Sequence, residues 1–159
     1  MLFRSDFNVP KMDVAFAISA TAFQSDANFK KMQDTIKEFV DRFGVQGRVL
    51  YALVTFGDPP TIHLQFNENA TSLGTLKGLI EGVPKPSKEA ALDKALSTAK
   101  MLFSPAAGGR EDAKKILVVM TDRESDSSSE DSMKASKQLE DEGIRVIAVP
   151  LGEIGRAHV

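Results

Sequence analysis

Residues 114–131 read "KKILVVMTDRESDSSSED", five consecutive apolar residues from Ile116 to Met120 set directly against a tail of acids and serines. A short apolar run without polar alternation suits a strand buried on both faces, as in a parallel sheet sandwiched between helices. The run stops at Thr121 and Asp122, so an acid stands at the carboxyl end of the strand. Open α/β sheets bind ligands there, where the strand order reverses.

Three other stretches share that character: "DVAFAI" at 13–18, "RVLYALVTF" at 48–56 and "RVIAVPL" at 145–151. The turn signal "GDPP" joins the second to "TIHLQF" at 61–66, a connection short enough to predict a hairpin and hence an antiparallel edge strand. Between these runs the spacing predicts helices. In "NFKKMQDTIKEFVDRFG", Phe29, Met32, Ile36, Phe39, Val40 and Phe43 share one face, Ser25 or Asp26 is placed to cap the start, and Gly44 stops it. "SKEAALDKALSTAKMLF" turns Leu92, Ala95, Leu96, Ala99 and Phe103 inward, with Ser87 as its cap. "TSLGTLKGLIEG" is a weaker helix because of its glycines, and "SEDSMKASKQLEDEG" a surface helix with Met133, Ala135 and Leu139 inward and Gly143 as its stop. The order β, α, β, β, α, α, β, α, β predicts an α/β fold: an open, doubly wound, mostly parallel sheet with helices on both faces.

The bulk properties agree with one folded domain. The chain has 159 residues, 42% hydrophobic and 26% charged, near the average for soluble globular proteins. Its formal net charge of -2 supplies no field for nucleic acid or an anionic membrane, and no basic patch stands out. Cysteine is absent, which removes disulfides and thiolate metal sites. No apolar run reaches the length of a membrane span, and "MLFRSDFNVP" lacks the apolar core of a secretory signal.

Taken together, "DVAFAISATAFQSDANFKKMQDTIKEFVDRF", "RVLYALVTFGDPPTIHLQF", "ALDKALSTAKMLFSPAAGGREDAKKILVVMTD" and "GIRVIAVPLG" resemble a von Willebrand factor type A domain, of the type found in extracellular matrix and collagen-associated proteins. The resemblance implies a metal-ion-dependent adhesion site at the top of the sheet. The family's pattern there is D-x-S-x-S after the first strand, a Thr before the middle helix, and Asp-Gly after the fourth strand. Position by position, these fall on Ser19, Thr21, Phe23, a residue near Ala90, and Asp122 with Arg123. Only Asp122 is retained, and Thr21 is a conservative replacement. Mg²⁺ wants oxygen ligands in octahedral order and carboxylate charge to offset its lost water. A site reduced to Ser19, Thr21 and Asp122 is therefore degenerate, and no cofactor is expected. Asp26, Glu124 and Asp126 are close enough in sequence to compensate, but their direction is not legible. Without metal, Asp122 reads as a solvated acid at a loop start, and Ser19 and Thr21 as hydroxyls bonded to turn amides.

Other features read more plainly. Asn69-Ala70-Thr71 matches the N-glycosylation acceptor pattern in a predicted loop, making Asn69 the glycosylation candidate. His63 is expected to face solvent on the edge strand rather than hold a metal. "PAAGGRED" lacks the Lys and the strand-to-helix setting of a phosphate loop and reads as a connection. The resemblance implies a further helix, a sixth strand and a last helix beyond "VPLG". The closing "IGRAHV" can be encoded by a stretch resembling a common sequencing adapter. The expected organisation is a lead-in at 1–12, the domain at 13–152, incomplete at its C-terminus, and a non-native tail at 153–159.

With no Cys and only two His, a convergent catalytic set has few possible members, and "ISATAFQSDANF" has no glycine to let a phosphate approach. The leading expectation is a secreted, non-enzymatic adhesion module that recognises collagen or another matrix protein without metal. The alternatives are a metal-dependent adhesion domain with a remodelled site, an intracellular scaffold on the same fold, and, least supported, an enzyme or nucleotide-binding domain.

Overall fold

The computed structural model describes residues 11–19, 26–44, 48–56, 60–66, 73–84, 92–121 and 130–150. Along the chain they form β1 (Met12–Ser19), α1 (Asp26–Phe43), β2 (Val49–Phe56), β3 (Thr61–Leu64), α2 (Leu73–Glu81), α3 (Leu92–Leu102), a 3-10 turn (Pro105–Ala107), β4 (Lys114–Thr121), α4 (Glu130–Asp141) and β5 (Ile144–Pro150). The strands lie in the order β3-β2-β1-β4-β5. β1 pairs in parallel with β2 and β4, β4 in parallel with β5, and β3 runs antiparallel to β2. The predicted doubly wound sheet with one antiparallel edge strand is the observed one.

β1 shows why the apolar runs are continuous. With neighbours on both sides and helices on both faces, Val14 through Ile18 are all buried. Alternation divides them between two cores. Val14, Phe16 and Ile18 join Tyr51, Leu53 and Met120 under α1 and α2, which contribute Met32, Ile36, Val40, Leu76 and Ile80. Ala15, Ala17 and Ala52 meet Ala95, Ala99, Leu102 and Phe103 on the other face. That second layer mixes these alanines with larger side chains such as Phe56, Phe66 and Leu117, whereas the first is filled mainly by large ones.

The helix ends follow the sequence signals. Gly44 terminates α1 at φ 75°, and its N–H donates to the Val40 carbonyl at 2.7 Å. Gly143 adopts φ 86° between α4 and β5. α1 and α2 are tied by Gln33, whose Nε2 donates to the Ile80 and Glu81 carbonyls at 3.1 and 3.2 Å and so satisfies the end of α2. Lys77 and Asp41 add an ion pair at 2.6 Å. Two details differ from the sequence reading. Phe103 lies just past the end of α3, and Leu102, absent from the predicted inward set, is fully buried because α3 faces both the sheet and α4. The caps assigned to Ser25 and Ser87 lie outside the described residues.

Candidate functional site

The chain leaves β1 toward β2 on one side, and β4 lies on the other, so the strand order reverses between β1 and β4. The carboxyl ends of these strands are level. Ser19, the last residue of β1, pairs with Phe56 at the end of β2, while Ile18 pairs with Met120, one residue before β4 ends at Thr121. Ser19 and the strand that leads into Asp122 are thus brought to the same end of adjacent parallel strands, at the switch point. Thr21, Phe23, Asn69, Ala90, Asp122, Arg123, Glu124 and Asp126 lie outside the described residues, and Asp26 opens α1. Among the described residues no group of three or more His, Cys, Asp or Glu is arranged to hold a metal ion.

A cluster of polar and charged side chains among the described residues lies at the opposite, amino end of the sheet. Asp13, with a side chain 0% exposed, accepts hydrogen bonds from the Arg110 backbone N–H at 2.7 Å and from Arg110 Nε at 2.9 Å. The same guanidinium donates through Nη2 to the carbonyls of Met12 at 2.8 Å and Arg48 at 3.0 Å, spanning the starts of β1 and β2. Lys115 Nζ donates to the Arg110 carbonyl at 2.8 Å. Lys11 pairs with Asp112 at 2.6 Å, and the hydrogen bond from that ammonium holds the Asp112 carboxyl below its ordinary range. Loop geometry presses Arg110 into place: Gly108 adopts φ 100°, and a Cβ on Gly109 would sit 2.0 Å from the Phe103 carbonyl oxygen. "PAAGGRED" is therefore a connection, as its sequence indicates, but one that delivers a buried counter-charge. The sequence held one signal of this. An acid opening the run "DVAFAI" cannot be buried without a partner.

His63 departs from expectation. Its Nε2 shares a hydrogen bond with Thr55 Oγ1 at 3.0 Å, Thr55 being buried in β2, so the ring is half-buried rather than turned to solvent. Burial lowers its pKa below the ordinary histidine value. Nearer the start of β2, the Tyr51 hydroxyl donates to the Gly44 carbonyl at 2.9 Å, and burial raises its pKa.

The family model for the von Willebrand factor type A domain matches residues 13–158. The chain belongs to this family. Among curated proteins, the VWA domain described here is 30% identical over 152 residues to a collagen alpha-5(VI) chain of Mus musculus, covering 92% of this chain and 6% of that one. Among solved structures it superposes on proximal thread matrix protein 1 from the mussel byssus with a TM-score of 0.72 and 25% identity, over 87% of this chain and 37% of that one. Another structure of that byssus protein has a zinc-occupied MIDAS motif, with a TM-score of 0.71 and 23% identity over 88% of this chain and 37% of that one. The VWA domain thus spans a small part of its collagen relative's length.

Proposed function

We propose that this VWA domain is a non-enzymatic, extracellular protein-binding module that engages collagen or another matrix protein at the carboxyl end of its sheet without requiring a divalent cation. The observation that carries the reading is the collinear relation to a collagen VI chain over 92% of the residues, combined with Ser19 at the end of β1. The family's pattern has an aspartate there, and a neutral hydroxyl leaves a hard divalent cation short of charge. The donor set Ser19, Thr21 and Asp122 does not fit such an ion well. Recognition then rests on shape and polar contacts, with affinity concentrated in a few well-packed side chains. The relation to matrix proteins also supports secretion, and in that setting Asn69 is the expected glycan attachment point, detectable as a mass shift removed by a deglycosylating enzyme.

The test is binding of the chain to immobilised collagens and other matrix proteins, in chelator and in Mg²⁺ buffer. Equal saturable binding in both supports the reading. Binding that vanishes in chelator contradicts metal independence, and absence of binding to every matrix protein contradicts the partner class.

A second reading, metal-dependent adhesion through a remodelled site, is favoured by the zinc-occupied motif of the related byssus protein. It requires acids outside the family pattern, such as Asp26, Glu124 or Asp126, to replace the missing carboxylate. Zinc-dependent binding lost in Asp122→Ala would support it.

A further inference from the structure

We draw no further inference here: the strongest candidate, the outward surface patch of α2 where Gly74 and Gly78 leave a bare stripe beside the exposed Leu79, is a line of small residues for which nothing in the structure shows what covers it.

Discussion

At the scale of single residues, the central strand commits a fully buried carboxylate, Asp13, to the core. Replacing Asp13 by Ala leaves the Arg110 guanidinium, 19% exposed, without its counter-charge, and the expected loss is about 3–5 kcal/mol in denaturant unfolding. Replacing both partners, Asp13→Leu with Arg110→Met, is expected to recover most of that loss, since no orphaned charge remains. His63 gives a second prediction. Its folded pKa is depressed, so the neutral ring is favoured by folding; the associated stability is full above the unfolded value of about 6.5 and is lost as pH falls through the folded value. Melting midpoints should drop on acidification from neutrality toward pH 5, and His63→Gln, which keeps a hydrogen-bonding group near Thr55, should flatten that slope. The carboxyl of Asp112, held low by Lys11, contributes in the same direction only at more acid pH. The sequence presents Asp13 as part of an apolar strand run, and the expectations drawn from it single out neither Asp13 nor its partner. Arg110 is 97 residues away, and nothing local in "PAAGGRED" marks that Arg as the inward one. His63 was misread because the pairing of β3 with β2 shifts register beside it, from Leu53–Leu64 to Val54–Ile62, so strict alternation does not hold there.

At the scale of elements, periodicity was a sound guide wherever an element presents one face to one core. α1 buries Met32, Ile36 and Val40 as its spacing requires, and Gly44 and Gly143 end helices in the left-handed conformation their positions indicated. The continuous runs of β1, β2 and β4 were legible because burial on both faces removes alternation. What was missed lies where an element has two neighbours. Leu102 sits off the expected stripe of α3 yet is fully buried. Leu102→Ala is expected to cost about 2–5 kcal/mol, read from the shift of the urea midpoint. Gly109→Ala tests the loop that delivers Arg110. A Cβ 2.0 Å from the Phe103 carbonyl forces backbone movement, so a loss of about 1–3 kcal/mol is expected by the same measurement. A near-neutral result would show that the loop can move away from α3.

For the whole molecule, strand order places function. The sequence supplied the elements but not the order β3-β2-β1-β4-β5, because the pairing of distant strands leaves no local trace. That order brings the carboxyl ends of β1 and β4, where adhesion is proposed, to one end of the sheet and the ion-pair cluster to the other. The two ends are chemically distinct. Relatives in this family include a collagen VI chain and a byssus matrix protein, and the position-by-position departure at Ser19, Phe23 and Ala90 separates this chain from a metal-dependent pattern. The central claim is that Asp122 with two hydroxyls does not retain a divalent cation. It is tested most directly by thermal melting of the chain in chelator and then in millimolar Mg²⁺, Mn²⁺ or Zn²⁺. An unchanged midpoint is the predicted result. A rise of about 5 °C or more, as about 2.7 kcal/mol of binding at a hundred times Kd would give in a domain of this size, abolished by Asp122→Ala, would contradict it.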